Sequence, residues 1–411
     1  MNEKTNEKEK ILILSTAYLP HIGGSELAIK NITDRINDFE FHLITARLDK
    51  KSPEQEKMGN VFVFRVGGFL SLFKFFLPKT LLPLEIFLKA SSLLKTNDYK
   101  LIHAFQASGA AGAGWLLKIF YPQLRFIITL QEGKDLERQG FLINFFRRLI
   151  IKKADSAIAI SHYLKSYIQT AKKDLPVALI PNGVDLVNFS RQFSYGELTD
   201  LENDLDIKPD DRVVISVSRL VFKNGLDMLI EALALLNKKF LNQEYKLILV
   251  GEGPLKESLK FKVKSLKLED KVIFTGSVGQ DELPVYLKIS DVFVRPSRSE
   301  GLGSAFLEAM ASGIPVIGTR VGGIPDFLED PSTRSTRPQG GEPVESTGSG
   351  QATGLFCTLE PGDIASKINI IFENSSLRQE IIKNSQLLVE EKYDWNKIAE
   401  EYRTTFKHLN I

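Results

Sequence analysis

RPSRSEGLGSAFLEAMASGIPVIGTRVGGIP, residues 295–325, reads as the end of a buried strand, a glycine-rich turn, a helix and a second buried strand. Gly301 and Gly303 let the backbone approach a ligand without Cβ interference, and Ser304 is expected to cap the helix that follows. The first N–H groups of such a helix face outward unpaired. Together with the helix dipole, roughly half a positive charge, they suit a phosphate or diphosphate. Glu300 stands before the turn and Glu308 eight positions later on the helix, so two carboxylates flank the phosphate position. A carboxylate only accepts hydrogen bonds, which matches sugar hydroxyls on either side of a diphosphate. The competing reading is a capped amphipathic helix whose glutamates are merely solvated.

Outward from this stretch the strand–loop–helix rhythm continues. Buried-type strands are expected at 213–218, 247–250, 272–275, 292–294 and 316–318. The first half alternates in the same way. Strands are read at 10–15, 41–45, 61–66, 100–103, 126–130 and 156–160, and helices at 23–37, 108–119 and 141–153. This pattern predicts an α/β protein with two doubly wound parallel sheets. Ligands of such sheets lie at the carboxyl ends of the strands, which singles out 21–26, 131–135, 218–225, 251–254 and 297–304. The expected domains are 1–190 and 191–394, with a linker between 182 and about 211. The apolar-poor stretch 330–350 is expected to be a surface insertion.

A chain of 411 residues, 43% hydrophobic and 25% charged, is too long for one compact core. Its single cysteine, Cys357, excludes an internal disulfide and a multi-cysteine metal site and points to a reducing, cytoplasmic compartment. The opening MNEKTNEKEK has neither the apolar core of a secretory signal nor that of an anchor. The most apolar region, 67–94, is interrupted by Lys74, Pro78, Lys79, Pro83, Glu85 and Lys89. It falls short of the roughly 20 apolar residues a crossing helix needs. Net charge is +2, yet residues 1–185 hold 26 basic and 18 acidic residues, leaving −6 for the remainder. That asymmetry suggests an anionic partner for the first half. FLINFFRRLIIKK (141–153) interleaves apolar and basic residues. It reads either as a helix at an anionic membrane surface or as a helix packed on the sheet with a cationic outer edge. Residues 69–89 point the same way, toward peripheral contact with the inner face of the plasma membrane. No nucleic-acid partner is expected.

Six ordered motifs carry a family resemblance: GGSE (23–26), IPNGVD (180–185), SRLVFKNGLD (218–227), VGEGP (250–254), the Glu300 and Glu308 pair, and VGGIP (321–325). The whole chain resembles a retaining glycosyltransferase of the GT-B fold, in glycosyltransferase family 4, group 1. The resemblance implies two Rossmann-like domains facing a central cleft. The donor lies mainly on the second and the acceptor on the first, and a terminal helix at about 395–411 packs back on the first. It implies that Glu308 binds the donor ribose and Glu300 the transferred sugar. Gly301, Gly303 and Ser304 would meet the sugar and diphosphate through the backbone, with Gly251 and Gly253 on the donor side. The Gly23–Gly24 turn would close over the diphosphate. Arg219 and Lys223 would neutralise the leaving nucleoside diphosphate, so Arg219, Lys223 and Glu300 are the expected catalytic residues. No metal and no cofactor beyond the nucleotide-sugar substrate is implied.

Three departures from the family pattern stand out. The lysine expected five positions after Arg219 is Asn224, with Lys223 beside it; HxH is replaced by His103-Ala104-Phe105; and the histidine of a T-x-H-G turn is replaced at Gln131. Glu26, His103, Gln131, Glu132 and Asp135 remain as acceptor-side candidates, with His103 read first as a structural residue at the end of its strand. Donors among similar proteins include GDP-mannose and UDP-sugars, and the acceptor would be a glycan or lipid-linked glycan of the cell envelope. The alternative is a non-transferring protein of the same fold, either a nucleotide-sugar epimerase or an inactive sensor. A dinucleotide oxidoreductase fits poorly, because the Gly23–Gly24 loop lacks GxGxxG spacing.

Overall fold

A computed structural model describes residues 8–49, 51–67, 81–133, 136, 139–330 and 351–409. The chain forms two compact units, Met1–Asn182 with Trp395–Ile411, and Gly183–Asp394. The first unit contains β1 (Glu9–Leu14), α1 (Gly24–Arg35), β2 (Phe39–Ala46), β3 (Gln55–Met58), β4 (Val61–Val66), α2 (Leu82–Leu93) and β5 (Tyr99–Phe105). It continues through α3 (Gly109–Phe120), β6 (Arg125–Leu130), α4 (Phe141–Lys153), β7 (Ser156–Ala159), α5 (His162–Ala171) and β8 (Val177–Leu179). The second contains α6 (Leu186–Phe189), α7 (Tyr195–Asp204), β9 (Arg212–Val217), α8 (Leu226–Lys239), β10 (Tyr245–Val250), α9 (Lys256–Ser265) and β11 (Val272–Gly276). It is completed by α10 (Leu283–Lys288), β12 (Val292–Arg295), α11 (Ser304–Ala311), β13 (Val316–Thr319), β14 (Leu355–Cys357), α12 (Pro361–Glu373) and α13 (Ser375–Lys392). The last helix, α14 (Trp395–His408), belongs to the first unit.

Strand order in the first unit is β3-β4-β2-β1-β5-β6-β7-β8, parallel except for the antiparallel β3–β4 edge. The second is a six-stranded parallel sheet ordered β11-β10-β9-β12-β13-β14. Both sheets reverse direction of strand addition beside their first strand, between β1 and β5 and between β9 and β12. These switch points open a crevice at the carboxyl ends. Continuous apolar runs such as ILIL in β1 and LILV in β10 are buried along their length because helices cover both faces of such a sheet.

α14 presents Trp395, Ile398, Ala399, Tyr402 and Phe406 on one stripe, and all five are buried with Ile11, Phe41, Leu101 and Phe105 in the first unit's core. Phe406 meets Phe39 edge to face at 5.8 Å, and Arg403 reaches Asp38 at 2.8 Å. Each large apolar side chain of that stripe contributes about 1.5–3 kcal/mol over exposure. The chain passes from the first unit to the second at 182–183, earlier than the expected 190. The cause is local: the Val184 N–H donates to Tyr393 O at 2.7 Å and Val184 bridges Asp394, so the outgoing segment is held by the second unit's own last residues. Of the expected insertion, 330–350, Asp330 is buried and accepts the Phe356 N–H at 2.8 Å, and the rest lies outside the described residues.

Candidate active site

In the second unit the loops leaving β9 and β12 meet at the switch point. The Arg298 N–H donates to Lys223 O at 2.6 Å, and its guanidinium donates to both Asp227 carboxylate oxygens at 2.8 Å. The same guanidinium stacks 4.1 Å over Phe222. A bidentate pair of this kind fixes orientation as well as charge. Asn224, at the position where the resemblance expects lysine, turns inward and donates to Arg219 O at 2.7 Å, tightening the turn. Lys223 takes the outward direction instead and donates to Glu300 Oε1 at 3.3 Å.

Glu300 is the hub. Its carboxylate also accepts from Arg295 Nη2 at 2.8 Å and from the Gly301 N–H at 3.0 Å. Burial pushes the Glu300 carboxyl upward, but Arg295 and Lys223 outweigh it and hold the group below the usual carboxylate range. Burial draws Lys223 below the ordinary lysine value in spite of Glu300. Arg295 was given no role in the sequence reading. It is buried at the end of β12, with its guanidinium 4.7 Å over the Phe306 ring and Nη1 donating to Val217 O at 3.3 Å. An arginine closing an otherwise apolar VFV run was the available signal, because a buried charge needs a partner.

Gly303, at φ 103°, is the N-cap of α11, so Ser304 is the first helical residue and its hydroxyl makes no cap bond. This corrects the expectation that Ser304 caps the helix: the left-handed glycine ends the turn one residue earlier. Among the described residues the N–H groups of Gly303, Ser304 and Ala305 find no acceptor. They form the open donor cluster expected of an anion site. Behind it Gly322, at φ 56°, allows VGGIP to pack against Glu300, whose carbonyl oxygen would lie 1.7 Å from a Cβ there. Gly251 and Gly253 line the carboxyl end of β10. Gly251 donates to Gly276 O, and Leu220 N–H donates to Glu252 O at 3.0 Å, joining this loop to that of β9. Arg219 is exposed and makes no ion pair among the described residues.

Glu308 is half-buried one turn into α11, hydrogen-bonded to Gln280, and burial pushes its carboxyl up to about 7. The folded state therefore holds a proton that the unfolded state releases between pH about 4.5 and 7, so ionised Glu308 costs stability above pH 7. Glu308→Gln should raise the thermal midpoint at pH 8, by about 1–3 kcal/mol of stability, and be near neutral at pH 4.5. A midpoint difference that does not change with pH would sink the assignment.

At the carboxyl ends of β1, β5 and β6 the first unit gathers a polar cluster. Gly23 is the N-cap of α1 and Gly24 its first residue, while Glu26 sits in the first turn close against Gly23. Ser25 Oγ accepts from Gln106 Nε2 at 3.1 Å, and Gln131 Nε2 donates to Asn182 Oδ1 at 3.1 Å. Glu132 accepts the Ala107 N–H at 2.6 Å and the Gln131 N–H at 2.9 Å, so it clamps two loops. Ser25 and Asn182 fall inside the GGSE and IPNGVD stretches without a role of their own, and Gln106 lies in no stretch singled out in the sequence. His103 takes the structural reading and not the acceptor-side one: it is 1% exposed, donates to or accepts from Thr129 Oγ1 at 2.7 Å, and packs among Phe105, Tyr402 and Phe406. Burial lowers it to about 3, so it is a neutral core residue. Asp135 lies outside the described residues.

Residues 199–388 match the family model for glycosyl transferases group 1 and residues 22–188 that for glycosyltransferase family 4. The chain belongs to the group 1, family 4 glycosyltransferases, and its two parallel α/β units are those of the GT-B fold. It is 26% identical to N-acetyl-alpha-D-glucosaminyl L-malate synthase of Bacillus anthracis, over 97% of each chain. Among solved structures it resembles sucrose-phosphate synthase from Thermosynechococcus elongatus, with a TM-score of 0.78 at 20% identity over 98% of this chain and 99% of that one. It also resembles Anabaena HepE in complex with UDP and glucose, with a TM-score of 0.75 at 22% identity over 97% of this chain and all of that one (100%).

Proposed function

We propose that this glycosyltransferase moves a hexosyl group from a nucleotide-sugar donor, GDP-mannose or a UDP-sugar, to a glycan or lipid-linked acceptor, with retention and without a metal. The setting is the cytoplasmic side of cell-envelope polysaccharide or glycolipid synthesis. One observation carries this reading: the open N–H groups of Gly303, Ser304 and Ala305 lie at the helix end between Glu300 and Glu308, with Lys223 on Glu300. In this arrangement the diphosphate sits on the helix N-terminus and Glu308 accepts from ribose hydroxyls. Glu300 accepts from the transferred sugar. Arg219 and Lys223 offset the charge that grows on the departing phosphate oxygens, a task fixed cations perform without a metal ion. The first unit's cluster around Ser25, Gln106, Gln131 and Asn182 offers donors and acceptors suited to a polyhydroxylated acceptor. HepE, of the same fold, was solved with UDP and glucose.

Thermal unfolding with guanosine, uridine and adenosine diphosphates and their sugar conjugates tests the donor site. At a hundred times the dissociation constant the matching nucleotide should add about 2.7 kcal/mol of stability. Glu308→Ala should abolish the shift, whereas Arg219→Ala should keep most of it and slow turnover by about a hundredfold. No shift with any nucleotide would overturn the donor site and favour a degenerate protein of this fold.

A further inference from the structure

Helix α4 is unlike its neighbours. Its buried residues are Arg147, Ile150 and Ile151, all in its second half. Before Arg147 no residue of it is buried: Phe141 is 81% exposed, Leu142 66%, Ile143 54%, Phe145 47% and Phe146 58%. The rings of Phe141 and Phe145 stack at 6.3 Å, and Phe145 meets Phe146 at 5.6 Å, so the aromatic side chains form one continuous surface. Beyond them Arg148, Lys152 and Lys153 are exposed, and the helix contains no acidic residue. A water-exposed cluster of five large apolar side chains marks a docking surface rather than chance exposure.

We propose that the first two turns of α4 insert into the interface of an anionic lipid bilayer, with Arg148, Lys152 and Lys153 on the phosphate headgroups. The charge decides the occupant. An apolar tip followed by a purely cationic flank is complementary to a surface whose interior is hydrocarbon and whose rim is negative. A self-associating apolar face would gain nothing from three like charges beside it. The position is also informative. α4 follows β6, so its N-terminus lies on the carboxyl-end side of the first sheet, at the far end of the connection that begins with Gln131 and Glu132. A bilayer held there brings lipid headgroups to the end of the unit that carries its polar cluster. The surface does not depend on which nucleotide the second unit binds.

Sedimentation of the full-length protein with vesicles tests this. Vesicles of phosphatidylcholine with about one third phosphatidylglycerol should carry the protein down at low salt, and pure phosphatidylcholine vesicles should not. The triple variants Phe141→Ser/Leu142→Ser/Phe146→Ser and Arg148→Glu/Lys152→Glu/Lys153→Glu should each lower partitioning about tenfold or more, with circular dichroism unchanged. As a conservative check, Phe145→Trp should gain blue-shifted emission over the wild type when anionic vesicles are added. The proposal is overturned by absence of anionic-vesicle binding, by full retention in either triple variant, or by unshifted emission from the Phe145→Trp variant. Concentration-dependent self-association lost in the apolar variant without vesicle binding would likewise overturn it and assign the face to a second copy.

Discussion

Glu300→Gln should reduce transfer by about two to three orders of magnitude while leaving nucleoside diphosphate binding largely intact. The carboxylate accepts from Arg295, Lys223 and the Gly301 amide at 2.8, 3.3 and 3.0 Å. An amide of the same size fills the space but removes the charge that balances two cations, one of them buried. Arg295 and Lys223 then repel each other at the position proposed for the transferred sugar. Lys223 also loses the carboxylate that opposes the downward pull of burial on its ammonium. Breaking one side of a buried ion pair typically costs about 3–5 kcal/mol. The variant should therefore unfold at lower temperature as well, and turnover must be measured where circular dichroism shows it folded. In the proposed arrangement the nucleoside diphosphate rests on the helix N-terminus and Glu308, so its thermal shift should survive. Turnover within threefold of wild type would remove Glu300 from the reaction.

Gly322→Ala should be the most destabilising single methyl in the second unit. Its Cβ would lie 1.7 Å from Glu300 O and 2.7 Å from Glu300 C, both main-chain atoms. No rotamer change relieves a backbone clash, and φ of 56° is itself costly for alanine by about 1–2 kcal/mol. The expected loss is roughly 3 kcal/mol or more, together with loss of the nucleotide-induced shift, because the Glu300 turn must move. Gly362→Ala is the control. Its Cβ meets nothing within 4 Å in the first turn of α12, and helix propensity makes the change neutral or slightly favourable. Equal midpoints for the two variants would show that VGGIP does not brace the site.

Where the chain obeys a simple period, the fold was legible. β4 and α4 have the boundaries read from the sequence, because VFVFRV alternates and the helix is bounded by Gly140 and the following Ala154. β3, QEKM, carries no apolar alternation and is held by antiparallel pairing with β4, a tertiary cause. β8 and β14 are three residues each, too short for any period to show. In the site, the glycine turn and both glutamates were visible because turn chemistry is local. Arg295 was missed because its partner, Glu300, depends on how the loop returns over the strand. Ser25, Gln106 and Asn182 follow β1, β5 and β8, far apart in sequence, and only the folded first sheet brings them to one carboxyl edge. The structural reading of His103 was available because with Leu101 and Phe105 it occupies every second position of one strand, the face that α14 covers.

The return of α14 to the first sheet also fixes an order of events. Gly183–Asp394 is a continuous segment, complete in its own contacts as soon as it is synthesised, whereas the first unit is interrupted by it. Until Trp395, Tyr402 and Phe406 emerge, the sheet face formed by Ile11, Phe41, Leu101 and Phe105 has no cover from α14. The part of the chain made first is thus finished last. During translation it is the N-terminal unit, carrying the exposed apolar turns of α4 as well, that most needs protection from premature association.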